Sequence, residues 1–143
     1  MLIDLRTGRL TTISFNSSVL GLAQKTLVSK RINTPFTTKE LIVNFALNTN
    51  RLLKIRPFIS YDNNAPTDTQ PKATNILTQL SQSDFLVGDD EQKRVSIEIK
   101  QDTSGVYILI HAENDDVVEH TIDVQVIIEL LPRENDEVEE QDK

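Results

Sequence analysis

The strongest constraint on the fold is a pair of alternating apolar segments near the C terminus, 105–112 (GVYILIHA) and 120–131 (HTIDVQVIIELL). In both segments every second residue is apolar over at least four positions. An apolar period of two is typical of a β-strand with one buried face, whereas a helix repeats every 3.6 residues. We therefore predict two strands, and their central inward side chains are Ile108, Ile110, Val124 and Val126.

The segment between these strands contains residue types that favour turns. Residues 114–116 (NDD) tolerate turn conformations and end a strand at little cost. If the two apolar faces are to coincide in a hairpin, Ile110 lies opposite Ile122 and Ile108 lies opposite Val124. The sequence thus predicts a C-terminal β-hairpin with its turn near Asp116.

Three further segments have a clear strand pattern. Residues 39–48 (KELIVNFALN) and 51–61 (RLLKIRPFISY) alternate on either side of a short break, and we predict a second hairpin from them. Pro57 cannot donate a hydrogen bond, so its strand is expected at a sheet edge or with a bulge. Residues 93–101 (KRVSIEIKQ) form a strand with Val95, Ile97 and Ile99 inward.

The remaining segments are shorter or irregular. Residues 11–15 and 25–32 are expected as strands, and 84–87 can form a short one. Residues 62–90 form a long irregular connection, in which 74–80 (TNILTQL) can make one helical turn. A connection of that length in a compact domain is either functional or packed against the core.

These elements predict an all-β fold in one domain. Seven or eight antiparallel strands with alternating faces favour a two-sheet β-sandwich, and the long connection between early and late strands favours the jelly-roll type. We assign residues 1–10 to an N-terminal arm, 11–131 to the jelly-roll domain and 132–143 to an acidic tail. The tail (PRENDEVEEQDK) has the composition of a solvated segment.

Composition excludes several classes of function. The chain has no cysteine, so disulfides, thiolate metal sites and thiol nucleophiles are excluded. No apolar run approaches the roughly 18–20 residues of a membrane span, and residues 1–10 lack the apolar region of a signal peptide. The net charge of −7 and the dispersed basic residues argue against nucleic acid, so neither nucleic acid nor membrane is expected as a partner.

Charge is divided unequally along the chain. Residues 1–60 hold nine Lys/Arg and two Asp/Glu, which gives +7; residues 61–143 hold six and twenty, which gives −14. Either strands of the two halves neutralise each other within one domain, or the basic surface of one chain meets the acidic surface or tail of a neighbour. A contact of the second kind is head-to-tail and weakens as salt rises.

No residue pattern indicates catalysis, a bound cofactor or a metal site. His111 and His120, the only histidines, have opposite strand parity, so we interpret them as two independent surface or strand-end residues. No G-x-S-x-G motif, phosphate-binding glycine loop or EF-hand spacing is present. Asx-rich loops could supply oxygen ligands for calcium, but Asp and Asn are also the ordinary turn residues of this glycine-poor chain.

The function class that these exclusions leave is protein–protein binding. Several apolar side chains have outward strand parity, which indicates either a second layer over the sheet or a contact with another chain. The arm adds three more apolar residues that need cover. The predicted interface residues are Leu2, Ile3, Leu5, Ile42, Tyr107, Leu109 and Ile127.

With its strands placed, the chain resembles the small disulfide-free jelly-roll proteins of bacteriophage particles, either capsid cement or decoration proteins or tail accessory proteins. The resemblance is carried by the apolar arm, the paired segments KELIVNFALN and RLLKIRPFISY, and the last pair GVYILIHAEN and HTIDVQVIIEL. It includes no diagnostic motif, so no functional residue is carried over. It implies a non-enzymatic homo-oligomeric subunit of a virion that binds a capsid or tail protein.

We accordingly predict a structural or assembly protein that binds other protein subunits, its own copies included, and is located in a virion, or alternatively in the cytoplasm. The alternative function is a ligand-binding β-sandwich module that takes a glycan or calcium at its end loops.

Overall fold

The computed structural model describes residues 8–80 and 83–131 of the chain. The first residues assigned to the arm (1–7) and the acidic tail from residue 132 lie outside this range. In the described ranges, no helix is long and apolar enough to cross a membrane.

Eight β-strands and one short 3-10 turn make up the described chain. In chain order they are β1 (Arg9–Val19), β2 (Gln24–Val28), β3 (Phe36–Phe45), β4 (Leu53–Ser60), β5 (Thr74–Asn75), the 3-10 turn (Thr78–Leu80), β6 (Glu91–Gln101), β7 (Tyr107–Asn114) and β8 (His120–Leu130). The 3-10 turn lies in the segment expected to hold one helical turn, and Leu86, in the expected short strand, makes only an isolated bridge to Ile55.

The strands form two antiparallel sheets of four. The first sheet has the order β1-β8-β3-β6 and the second the order β2-β7-β4-β5. Consecutive strands therefore lie in opposite sheets everywhere except between β4 and β5. This is the connectivity of an eight-stranded jelly roll, and the predicted fold class is confirmed.

Both predicted hairpins are wrong. β7 pairs with β2 and β4, whereas β8 pairs with β1 and β3; Ile110 lies opposite Leu27 and Pro57, and not opposite Ile122. Likewise β3 and β4 belong to different sheets. The alternation defines which face of each strand is buried. Two such strands bury the same faces whether they pair side by side in one sheet or face each other across the core.

The core lies between the two sheets and contains the predicted inward residues. Ile108, Ile110 and Val124 are fully buried, and Val126 is 1% exposed. They pack in one cluster with the inward side chains of β3, β4 and β6. Fully burying one such aliphatic side chain stabilises the fold by roughly 1.5–3 kcal/mol, so these five strands supply much of the stability.

Pro57 is accommodated on the weakly paired side of β4. The carbonyl of Pro57 accepts a hydrogen bond of 2.9 Å from the Ile76 amide, on the side of β5. In an antiparallel strand the N–H and C=O of one residue point the same way, so the proline removes no bond to β7. β4 is not an edge strand, but the two-residue β5 covers little of this side.

Truncating one of these central core residues tests the packing. We expect Val124→Ala to lower the free energy of unfolding by on the order of 1–3 kcal/mol, because it removes buried methyl groups and leaves a cavity. Urea denaturation measures this difference. Thr121→Ala on the same strand is the control, because Thr121 is exposed and should change stability little; equal losses for the two variants would contradict the assigned core.

Candidate functional site

The structure separates the predicted interface residues into three groups. Ile42 is 4% exposed and Leu109 is fully buried, so neither offers surface to a partner. Tyr107 and Ile127 are half-buried on the outer faces of their sheets. Leu2, Ile3 and Leu5 lie outside the described residues.

Leu109 is buried because the chain itself forms a second layer over the outer face of the second sheet. Leu109 and its neighbour Phe58 point away from the core, yet Phe58 is only 3% exposed. The connection after β4 crosses this face as far as β2, where the Thr26 hydroxyl donates to the Pro66 carbonyl at 2.8 Å. Of the two explanations for outward apolar residues, the second layer therefore applies to Leu109.

The same layer buries His111, which is fully inaccessible and not a surface residue as predicted. Since the single hydroxyl hydrogen of Thr26 is directed at Pro66, the Thr26 oxygen accepts a hydrogen bond from His111 Nδ1–H at 3.1 Å. His111 Nε2 is then an unprotonated, buried nitrogen with no hydrogen-bond partner among the described residues. Burial, and secondarily the nearby Arg56 charge, lowers the pKa of His111 to about 4.

Arg56 lies beside His111 in an ionic network under the same connection. Its guanidinium donates to Glu113 at 2.8 Å and to Asp84 at 3.4 Å, and it stacks 5.4 Å from the Phe85 ring centroid. Arg56 is 5% exposed, so removing one of its carboxylate partners would leave its buried positive charge less well neutralised. These contacts fasten the connection to the sheet.

His120 begins β8, which confirms its interpretation as a strand-end residue, and it does not approach His111 on the opposite sheet. Its Nε2 lies 2.8 Å from the Asp116 carboxylate. This hydrogen bond, followed by one from the Val117 amide, lowers the pKa of Asp116. The pair closes the loop between β7 and β8.

One end of the sandwich carries most of the exposed apolar surface. Three loops meet there, 20–23, 46–52 and 115–119, together with residues 88–90; we call this end the tip. Six of the eight large apolar side chains that are exposed in the described chain lie on these loops: Leu20, Leu22, Leu47, Leu52, Val117 and Val118. Leu22 and Val117 are 71% and 76% exposed, so the tip presents an apolar surface that the described part of the chain leaves uncovered.

Backbone hydrogen bonds join the tip loops into one surface. The Leu22 amide donates to the Asp116 carbonyl at 2.8 Å, and the Asp115 amide donates to the Leu52 carbonyl at 2.8 Å. The Arg51 amide reaches the Gly88 carbonyl at 3.1 Å. Each of the four segments is therefore bonded to at least one other, and their backbones form one hydrogen-bonded surface.

Asn114 is the buried polar residue that holds two of these loops. Its side-chain nitrogen lies 3.3, 3.2 and 2.8 Å from the carbonyl oxygens of Val19, Leu20 and Val118. Its side-chain oxygen accepts from the Asp116 amide at 3.0 Å. Asn114 is 1% exposed, so its hydrogen bonds replace those that water would make to these carbonyls.

The tip also concentrates backbone strain. All non-glycine residues with positive φ in the described chain lie there: Leu22, Asn48, Asn50, Arg51 and Asp90. Asparagine and aspartate tolerate this conformation, but leucine does not, and Leu22 has φ of 58°. Leu22 thus combines an unfavourable backbone conformation with an exposed apolar side chain, two destabilising choices at one position.

The tip is acidic. Its four segments contain five carboxylates, Asp89, Asp90, Asp115, Asp116 and Glu119, and one basic residue, Arg51. A partner that covers the apolar surface should therefore carry basic groups at its rim.

Sequence reasoning missed the tip because apolar residues in loops carry no period. A usable signal was present: Leu20–Gly21–Leu22 and Val117–Val118 place large apolar residues next to turn-forming residues, where polar ones are usual. Whether such side chains fold inward or remain exposed depends on the loops around them.

Part of the charge asymmetry is neutralised within the chain. Lys39 pairs with Glu98 at 2.9 Å and Lys54 with Asp115 at 3.2 Å, and the Arg56 network also joins the two halves. Lys30 and Arg31 are exposed and make no ion pair with another described residue. Among the described side chains, no three of His, Asp or Glu are grouped so as to hold a metal ion.

Comparison with known proteins identifies the fold alone. No protein-family model and no curated protein matches the sequence. A chain of the capsid asymmetric unit of cyanophage Pam1 is 12% identical over 87% of this chain and 86% of that one, with a TM-score of 0.50. The covered fractions of the two chains are nearly equal, so the chains have similar lengths. The predicted resemblance in architecture to phage-particle proteins is confirmed.

Two other solved structures are similar at lower TM-scores. An infectious bursal disease virus (Gx strain) chain is 12% identical, with a TM-score of 0.43, over 89% of this chain; this chain covers only 33% of its length. The GH26-CBM35 β-(1,4)-mannanase of Podospora anserina is 9% identical, with a TM-score of 0.41, over 85% of this chain and 28% of its own.

Buried His111 makes stability depend on pH. Its pKa is about 4 in the folded chain and near 6.5 when unfolded, so between these values only the unfolded chain binds the proton. Above pH 6.5 we expect His111 to have no effect on the pH dependence of the free energy of unfolding. As the pH drops from 6.5 to 4, we expect this free energy to fall by on the order of 3 kcal/mol. Urea denaturation at several pH values gives the free energy of unfolding as a function of pH. Between pH 4 and 6.5 this free energy should change less steeply for His111→Gln than for the wild type. An equally steep change in both proteins would contradict the burial of a neutral His111.

Asn114 should be sensitive to an isosteric change. Asn114→Asp removes the side-chain donor and directs a buried carboxylate at three carbonyl oxygens, so we expect the free energy of unfolding to fall by on the order of 2–3 kcal/mol. Thermal or urea denaturation measures the loss. Asn63→Asp, at an exposed loop position, is the matched control and should be nearly neutral.

Proposed function

We propose that the protein is a non-enzymatic structural component of a virion, a capsid decoration or tail accessory protein, and that its tip binds another protein subunit. The observation that carries the proposal is the tip itself: six exposed apolar side chains on loops that are hydrogen-bonded into one surface. Exposed apolar surface concentrated in this way is typical of a protein–protein contact.

The strain at Leu22 supports binding over chance exposure. A glycine or asparagine at φ of 58° would remove the strain, and a polar side chain would remove the exposed apolar surface. A sequence that keeps leucine there gives up stability in two ways. Residues of this kind are retained where function requires them.

The charge of the tip favours a protein partner over a lipid surface. Five carboxylates against one arginine would be repelled by anionic lipid headgroups, whereas membrane-binding loops are usually basic. A protein surface with an apolar centre and Lys or Arg at its rim matches both the apolar side chains and the carboxylates. The jelly-roll fold is compatible with this role and with a location in a virion.

The decisive variant is Leu22→Asn. We expect it to raise the free energy of unfolding by about 0.5–1 kcal/mol, since asparagine tolerates positive φ. Combined with Val117→Asn, it should abolish incorporation into particles purified from the cells that express the protein. Urea denaturation and quantitative mass spectrometry of the particles measure the two effects.

Leu10→Asn is the matched control, because Leu10 is 64% exposed at the opposite end of β1. It should leave incorporation unchanged. Absence of the wild-type protein from particles would contradict the virion location. Incorporation of the Leu22→Asn/Val117→Asn variant at the wild-type level would contradict the role of the tip.

A further inference from the structure

The edge strands of the two sheets are protected unequally. Within the described chain, the outermost strands are β1, β6, β2 and β5. β5 has two residues and β2 five, and β6 carries five charged side chains among eleven residues. β1 is eleven residues long, has no proline, no bulge against β8 and no charged residue after Arg9.

An unprotected edge of this length is unusual. Free N–H and C=O groups along a long uncharged strand can pair with another chain, and proteins normally prevent this with charges, proline, bulges or short edges. β1 has none of these features, whereas the other three edges do. The difference indicates that the free edge of β1 is covered in the functional assembly.

An apolar groove follows this edge. It has a volume of about 560 Å³ and opens between β1 and the segment that runs from β2 to Thr34. Its apolar lining consists of Ile13, Phe15, Val28, Ile32, Ile128 and Leu130. Lys30 and Arg31 also line it, and no acidic side chain does. A strand added to β1 would direct alternate side chains into this groove.

The N-terminal arm fits the groove better than the acidic tail. In residues 2–7 (LIDLRT), Ile3 and Leu5 share one strand face, and Asp4 and Arg6 share the other. The tail segment 133–143 contains one large apolar residue, Val138, and six acids, so it matches Lys30 and Arg31 but cannot fill an apolar groove. Six extended residues span roughly 20 Å, enough to cover the part of β1 that lines the groove.

The arm of the same chain is poorly placed to fill its own groove. A two-residue hairpin turn at residues 7–8 would place Leu5 opposite the outward-facing, exposed Leu10, and would so direct Ile3 and Leu5 away from the groove. An antiparallel strand from a second copy would place that copy beyond the end of β1 opposite the tip. Two copies can then exchange arms reciprocally, which gives a closed two-fold dimer.

We infer that the arm of a second copy adds as an antiparallel strand to the free edge of β1, with Ile3 and Leu5 in the groove. This contact goes beyond the proposed binding at the tip, and it uses different residues at the other end of the sandwich. It is a two-fold exchange of arms, and so it differs from the head-to-tail contact between basic and acidic surfaces that the charge asymmetry suggests.

Light scattering on the full-length protein tests the exchange. We expect a dimer for the wild type. For Ile3→Asp/Leu5→Asp we expect a monomer, because the Kd of the dimer rises about 100-fold or more. Leu2→Asp is the matched control, since it makes the same change on the other face of the arm and should remain a dimer. Deletion of residues 133–143 should also leave a dimer, as should Leu22→Asn at the tip.

Cysteine pairs identify the chain that donates the arm. The natural sequence has no cysteine, and Thr11 has the same inward parity as Ile13, so it can lie opposite an inward Leu5. A mixture of a Leu5→Cys variant and a Thr11→Cys variant can form a mixed disulfide only between chains. We expect this product, at twice the mass of one chain. Three results would overturn the inference. The wild type could be a monomer, Leu2→Asp could dissociate the dimer as strongly as the double variant does, or deletion of the tail alone could dissociate it.

Discussion

The structure depends on the packing of β7 against β8 across the core. Each is an inner strand of its sheet, and their central inward side chains, Ile108, Ile110, Val124 and Val126, are at most 1% exposed. This contact places one strand in each sheet, so the five-residue loop between them must cross from one sheet to the other. Asn114 stabilises that crossing, because its side chain donates to the Val118 carbonyl and accepts from the Asp116 amide within the loop.

The same constraint produces the tip. When nearly every consecutive pair of strands lies in opposite sheets, the connecting loops collect at the ends of the sandwich. At one end these loops are short, strained and apolar, and hydrogen bonds between them fix their shape. A rigid scaffold thus presents a set of loop side chains, an arrangement that many binding surfaces share. Pre-ordered loops lose little conformational freedom when a partner binds.

The long connection after β4 has a different role. It covers the outer face of the second sheet, and it buries Leu109, Phe58 and His111. The Arg56 ionic network and the Thr26–Pro66 hydrogen bond attach it to that face. The second sheet therefore has little outer surface for a partner. Among the described residues, the tip and the edge of β1 are the two places where apolar side chains form an exposed group.

Sequence pattern was sufficient for seven of the eight strands in the described chain, for their inward faces and for the fold class, because an apolar period of two is a local property of each strand. The two-residue β5 lies in a segment expected to form a helical turn. Strand pairing was settled by the folded chain as a whole, since β7 and β8 bury the same residues whether they lie side by side or face to face. The folded chain also decided that Leu109 is covered while Leu22 and Val117 are not. Exposure of a side chain depends on what the rest of the chain places over it, and no local pattern contains that information.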